Sequence, residues 1–334
     1  MGPSRVFQHD SAVDFLAVTY PTLRQHERSA NIVLAHALNR APAEYVLTDC
    51  QFLTDGDIQL PNATHPHRAS NFWVTVWSYP PQAKPVLDLV LSCLESTLGN
   101  YPIFLWTPMP QSALSSEWLG HRMESITEHL HSCIEPERVF SVFGTTTVVN
   151  SFARAWATLT HFEIIPQPVY EAFFSFCTPQ SLRAAIVDVG IRTRRAAMRD
   201  LEVVARLCQE FTNDSYYHLT VARATMEARE LIDKGQLWVC ETKGEIASIC
   251  AVTRSSLYVS AITKVYTTPK WRRHGFAERL VREVTQILFK CSKHSVVLYV
   301  GCENNAQRIY RRVGFSWEEV WMEVGFAGTD RGHW

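Results

Sequence analysis

Hydrophobic and polar positions alternate with changing period along the chain, most legibly beyond residue 189. A short strand around Val189-Gly-Ile-Arg192 leads to Asp200, which reads as an N-cap, and Leu201, Val204, Leu207, Cys208 and Phe211 then recur at helical spacing. A polar helix through Thr225 to Lys234 stops at Gly235. Three strand-like runs come next, Gln236 to Thr242, Glu245 to Arg254 and Leu257 to Tyr266, with turns at Lys243-Gly244 and Ser255-Ser256. After Gly275, the residues Phe276, Leu280, Val281, Val284, Ile287 and Leu288 form one apolar stripe opposite Glu278, Arg279, Arg282 and Glu283, the pattern of an amphipathic helix. Val296 to Val300 is apolar throughout, as a strand covered on both faces must be, and Glu303 to Val313 reads as a short helix stopped by Gly314. Trp317 to Gly325 gives the last strand. The order β-α-α-β-β-β-α-β-α-β predicts an α/β (α+β) fold with a mixed sheet and helices on its faces.

Residues 1–180 echo that order. Phe72 to Ser78 and Val86 to Leu94 read as strands, and Ile103-Phe-Leu-Trp-Thr-Pro108 stands opposite Ile262 to Pro269. Leu114 to Cys133 stands opposite 275–290, Arg138 to Gly144 opposite 295–301, and Val148 to Leu159 opposite 303–313. Matched halves offset by about 155–160 residues predict a duplicated fold, divided into residues 1–180 and 189–334.

Composition narrows the classes. At 334 residues with 46% hydrophobic and 19% charged positions, the chain has material for two sizeable cores and too little charge for a disordered protein. Lys plus Arg (32) nearly balance Asp plus Glu (33), so no broad field draws nucleic acid or an anionic membrane; neither is expected as a partner. The nine cysteines, Cys50, Cys93, Cys133, Cys177, Cys208, Cys240, Cys250, Cys291 and Cys302, include no C-x-x-C pair, which argues against bound metal and against a disulfide framework. The first residues carry no basic-then-apolar leader, and the expectation is a cytoplasmic protein.

The sharpest motif is Val265-Tyr-Thr-Thr-Pro-Lys-Trp-Arg-Arg-His-Gly-Phe-Ala277. A strand ends at Tyr266, a Pro-containing turn follows, and Arg272-x-x-Gly275-x-Ala277 opens a helix. The first N–H groups of a helix lack intrahelical partners and carry the positive end of its dipole, so such a turn suits a diphosphate. Gly275 allows close approach, Ala277 keeps the first turn slim, and Arg272, Arg273, Lys270 and His274 add positive charge. The same features also suit an ordinary solvated turn.

With these residues in view, the sequence resembles the GCN5-related N-acetyltransferase (GNAT) superfamily over roughly 189–325. The later stretch Asn304-Asn-Ala-Gln-Arg-Ile-Tyr-Arg-Arg-Val-Gly-Phe315 is similar to the family's Asn-x-x-Ala-x-x-Leu-Tyr-x-x-x-Gly-Phe ending, although the family's Asn position here is Glu303. The resemblance implies two tandem GNAT-like halves. It also implies acetyl-coenzyme A or another acyl-coenzyme A as co-substrate, with no metal, held between the fourth and fifth strands of the second half. The diphosphate would sit on Arg272, Arg273, His274, Gly275, Phe276 and Ala277, and the pantetheine arm along Val265, Tyr266 and Thr267, with Asn304 and Asn305 nearby. Two-half fungal-type acyltransferases and the glycine N-acyltransferase group are similar in pairing a degenerate first copy with an active second one; Ser112 to Gly120 lacks Arg-x-x-Gly-x-Ala. The implied reaction is acyl transfer to a small amine or amino-acid-like acceptor. A hydroxyl or protein lysine acceptor, or coenzyme A binding without transfer, stays open.

In that reaction a phenol suits protonation of the leaving thiolate, and Tyr310 is the candidate, with Ala157 at the matching place in the first half. Its ordinary alternative is a Tyr packed on a helix. The base is undetermined: Leu257 to Val265 contains no Asp or Glu, which leaves Glu303, Glu241, His218 and Asp214. Cys302 as an acyl carrier is the weaker thought, since direct transfer needs none. Tyr216-Tyr-His218 falls where the resemblance places an acceptor loop, and the pairs Phe72-Trp73 and Phe173-Phe174 read as core or interdomain contacts.

Overall fold

The computed structural model describes residues 3–42, 60, 66–184, 191–213, 217–329 and 332–333. The chain divides into two compact units, Met1–Glu171 with Val320–Trp334, and Ala172–Glu319.

The first unit begins with β1 (Ser4–His9), helices Ala12–Gln25 and Asn31–Leu38, β2 (Phe72–Ser78), β3 (Val86–Cys93) and a short hairpin of β4 (Glu95–Ser96) and β5 (Gly99–Asn100). It continues through β6 (Ile103–Trp106), helix Ser116–Cys133, β7 (Ser141–Thr145) and helix Thr146–Thr160. Its strands lie in the order β1-β2-β3-β6-β7, with β6 and β7 parallel. Phe72, Val74 and Val76 on β2 and Leu89 and Leu91 on β3 pack with Trp118, Ile126, Phe152 and Trp156 from the two long helices. Burying these large aromatics supplies the main drive for folding this unit.

In the second unit, β8 (Tyr170–Cys177) precedes β9 (Ile191–Arg195), helices Leu201–Phe211 and Val221–Asp233, β10 (Leu237–Thr242), β11 (Glu245–Ser255) and β12 (Val259–Thr267). Helix Phe276–Lys290, β13 (Ser295–Gly301) and helix Gln307–Val313 complete the series, and β14 (Ser316–Gly325) then carries the chain back to the first unit from Val320 on. The strand order is β9-β10-β11-β12-β13-β8, with β12 and β13 parallel. This is the topology of the first unit repeated, two helices after the first strand and one after each parallel strand. The duplication expected from the pattern is therefore visible element by element.

The expected division into 1–180 and 189–334 differs from the units observed. Trp321 to Gly325 of β14 pairs antiparallel with Ser141–Thr145 of β7 in the first unit, and Ala172 to Cys177 of β8 pairs antiparallel with Val296–Gly301 in the second. Each parallel strand is apolar and needs a neighbour on its far edge, and the sequence that supplies it comes from the end of the other repeat.

Two smaller expectations change. Asp200 stands at the N-cap position of helix Leu201–Phe211, yet its side chain makes no cap; it accepts from Arg194 Nη1 at 2.6 Å and from the Ala197 N–H at 2.8 Å. A largely enclosed guanidinium such as that of Arg194 needs a counter-charge more than a helix end needs this particular acceptor. Gly314, by contrast, ends helix Gln307–Val313 as expected: its φ is +118°, and a Cβ there would lie 2.0 Å from the Ser181 carbonyl oxygen. The eight described cysteines are free, with Cys50 outside the described residues. No described helix is long and apolar enough to cross a membrane.

Candidate active site

The geometry begins where β12 leaves β13. Their parallel ladder runs from Val259↔Ser295 to Ile262↔Leu298 and stops, although β12 continues to Thr267 and β13 to Gly301. On its other edge β12 stays paired with β11, but the register shifts so that Thr263 and Thr253 fall outside it, their hydroxyls bonded at 3.0 Å. Such irregularities bend a strand and re-aim its side chains. Past this point β12 presents Thr263 to Thr267 with no strand partner from β13.

At the end of that free stretch the chain turns through Pro269–Trp271 into helix Phe276–Lys290. Arg273 (φ +65°) and Gly275 (φ +79°) are both left-handed, and no side chain caps the helix; its first intrahelical donor is the Arg279 N–H, 3.0 Å from the Gly275 oxygen. The N–H groups of Phe276, Ala277 and Glu278 precede that first donor and have no intrahelical acceptor, the arrangement that suits an anion. A Cβ on Gly275 would meet no protein atom within 4 Å, so glycine here serves the φ angle and leaves the space above the turn open. Arg272, Arg273 and His274 are exposed, while Phe276 is buried and packs edge-on against Trp271, ring centroids 5.6 Å apart. Ala277 follows in the first turn.

The charges are not all free. Arg272 donates from Nε to the Thr267 oxygen at 3.2 Å and from Nη2 to the Tyr266 hydroxyl at 3.3 Å, and His274 Nδ1 lies 2.8 Å from the Arg272 oxygen. Lys270 is bound to both oxygens of Glu245 at 2.7 Å, so its contribution to the positive spot is largely offset. Burial and the nearby Glu210 carboxylate push the Tyr266 phenol above its ordinary range, against the opposing pull of Arg272.

The helix carrying Tyr310 is tied to the same turn. Glu278 accepts from Arg282 at 2.8 Å and from Arg312 at 2.6 Å; burial alone would raise its carboxyl, and these two guanidinium bonds bring it below the usual range. Tyr310 is half-buried, its ring 5.9 Å from Phe315, and with Val265, Trp271 and Ala306 it packs on the core between β12, β13 and helix Phe276–Lys290. It also lines a small cavity with Phe173, Val300 and Trp317. Asn304 and Asn305 are exposed just beyond β13, and Asn304 Oδ1 accepts the Ala306 N–H at 2.8 Å.

Among the base candidates, Glu241 is engaged by Arg194 at 2.9 Å, Glu303 and His218 are exposed, and Asp214 and Tyr216 lie outside the described residues. Sequence reading missed Glu227. Helix Val221–Asp233 brings its carboxylate to Lys264 Nζ at 2.5 Å, immediately past the irregularity in β12. The only sequence signal was an acid at the helix flank, which a solvated face would also show.

Residues 209–324 match the family model described as acetyltransferase (GNAT) domain. The chain carries a GNAT domain. A GCN5-related N-acetyltransferase from Sphaerobacter thermophilus is similar at 16% identity over 100% of both chains, with a TM-score of 0.52. A Drosophila protein known from its X-ray structure is similar at 13% identity, covering 99% of this chain and 100% of its own, with a TM-score of 0.61. A GCN5-related N-acetyltransferase from Kribbella flavida covers 72% of this chain and 87% of its own at 15% identity and a TM-score of 0.50. At these identities the likeness is one of fold. No curated protein matches. The general activity that goes with a GNAT domain is acyl transfer from an acyl-coenzyme A.

The first unit lacks the matching features. Its helix Ser116–Cys133 begins at Ser115 (φ −69°), whose Oγ accepts the Trp118 N–H at 3.1 Å, so the helix caps itself. Beyond the ladder, β6 and β7 stay close enough that a Cβ on Gly144 would lie 2.7 Å from the Leu105 oxygen. Behind the helix start, Arg122 is buried between Asp88 (2.8 Å), Ser78 (2.7 Å) and the Trp118 ring (4.1 Å).

Proposed function

We propose that the protein is an acyl-coenzyme A-dependent N-acyltransferase, with acetyl as the default donor and a small amine or amino-acid-like molecule as acceptor, and that only the second unit carries the site. The single observation that carries this reading is the uncapped, left-handed Gly275 turn at the end of a strand that has parted from its parallel neighbour. On this reading the diphosphate meets the N–H groups after Gly275 and the side chains of Arg272 and Arg273. The pantetheine arm pairs with the free edge of Val265 to Thr267. A neutral amine attacks the thioester carbonyl; backbone N–H groups at the parting of the strands steady the charge that develops on the oxygen, and Tyr310 gives a proton to the departing thiolate.

Calorimetry with coenzyme A tests the binding step, and thiol release from acetyl-coenzyme A across an amine panel tests transfer. The expected results are one bound molecule per chain and amine-dependent release. A second reading, coenzyme A binding without transfer, is favoured by one observation, the commitment of the Asn304 amide oxygen to Ala306. Binding with no acceptor accelerating thiol release decides for it.

A further inference from the structure

The parted strand carries a largely buried ion pair. Lys264 and Glu227 are joined at 2.5 Å with side-chain exposures of 8% and 16%, and the Lys264 ammonium lies 5.0 Å from the centre of the Phe211 ring. Lys264 is the first residue past Thr263, the point where β12 breaks register with β11 and has already left β13. Glu227 reaches it from helix Val221–Asp233, and Phe211 from the end of the preceding helix. Burying two charges is costly, and exchanging the pair for apolar residues is often neutral or stabilising, so stability alone is a weak reason for this pair to stand here.

We infer that Glu227 takes the proton from the acceptor amine and that Lys264 is the positioning residue that holds its carboxylate beside the reacting bond. The inference rests on the transferase reading above. With the pantetheine arm on Val265 to Thr267, the thioester falls at the level of Thr263 and Lys264, because the arm runs from the Gly275 turn back along β12. No Asp or Glu lies on β12 itself, Glu241 is bound to Arg194, and Glu303 is exposed beyond β13. Glu210 stands at the other end of the free stretch, against Tyr266. Among the described residues, Glu227 is thus the carboxylate that the fold delivers to the parting of the strands. Its contact uses one oxygen, Oε2, for Lys264.

The protons balance. Of the three on an incoming ammonium, one passes to Glu227 and on to solvent, one replaces the proton that Tyr310 gives to the thiolate, and one remains on the amide nitrogen. The carbon–sulfur bond breaks as the carbon–nitrogen bond forms. The groups facing Glu227 are Lys264 from β12 and Cys208 and Phe211 from helix Leu201–Phe211, with Arg223 and Glu230 one turn away on its own helix.

The test uses the full chain with acetyl-coenzyme A and a panel of benzylamine, spermidine and glycine, reading kcat and KM for thiol release and coenzyme A affinity. Glu227→Gln should lower kcat by roughly 100-fold or more, the usual share of a general base, while coenzyme A affinity stays within about twofold. Lys264→Met should lower kcat roughly tenfold or more while KM for the amine stays within about twofold, since a carboxylate without its anchor is no longer held beside the reacting bond. A structural pair would give neither result. If Glu227→Gln fails to fold, the double variant Glu227→Gln, Lys264→Met leaves no uncompensated charge and carries the same expectation for kcat. Unchanged kcat in a variant that folds and binds coenzyme A overturns the inference and leaves the transferase reading standing. A wild-type protein that neither binds coenzyme A nor transfers to any amine overturns both.

Discussion

Glu278 in the first turn of helix Phe276–Lys290 accepts a hydrogen bond from Arg312 at 2.6 Å, joining the Gly275 turn to the helix that bears Tyr310. Because this carboxyl is held below its usual range, the stability it contributes is complete above that range and is lost as pH falls through the lowered value. Glu278→Gln should therefore cost about 0.5 kcal/mol at neutral pH, a modest figure because Arg312 is half exposed. Melting both proteins between roughly pH 7 and pH 3 checks the sign: the gap must narrow toward acid.

Gly275→Val separates conformation from contact. A left-handed φ costs a branched residue roughly 1–2 kcal/mol, and a Cβ there meets no protein atom within 4 Å. The variant should fold with a melting point a few degrees lower and lose at least about tenfold in coenzyme A affinity as its methyls enter the ligand's space. Equal affinity in calorimetry removes the diphosphate from this turn.

The first unit should take up no coenzyme A. Its helix N–H is already spent on Ser115, so Arg272→Glu ought to abolish uptake by the whole chain rather than halve it. Ser115→Ala, in contrast, should cost about 1 kcal/mol of stability and leave binding alone. Titration of the two variants side by side distinguishes these outcomes.

Tyr310→Phe keeps the packing against Phe315 and removes the hydroxyl. Turnover should fall by roughly 100-fold with coenzyme A affinity unchanged. A turnover equal to wild type excludes the phenol from proton transfer.

Much of this was legible beforehand, for identifiable reasons. Helix Phe276–Lys290 has an uninterrupted stripe from Phe276 to Leu288, and β13 is apolar on every position from Val296 to Val300, so local period settled both. The turn was legible because Gly275 and the basic residues before it are contiguous. Glu227 was not, since its meeting with Lys264 spans 37 residues and depends on how a helix lies on a strand. The irregularity at Thr263 carries no Gly or Pro to announce it. Nor does anything within Tyr170–Cys177 or Trp321–Gly325 say which repeat it will complete, because an apolar strand satisfies either edge equally well.

Removing residues after Glu319 should unravel the first unit while sparing the second. It strips β7 of its partner along Ser141–Thr145, and with it the fully buried Glu323, whose Oε1 accepts from Ser141 at 2.5 Å. Hydrogen exchange read by mass spectrometry should show lost protection in 72–106 and 116–160. Retained protection there would make β14 dispensable.

The placement of that strand also sets a timetable at birth. Translation runs at roughly 5–20 residues per second, so the roughly 180 residues separating Thr145 from Gly325 keep a nascent first half waiting about 10–40 s for its final piece. During that interval the edge of β7 that Trp321 to Gly325 will cover stays open to wrong strand partners.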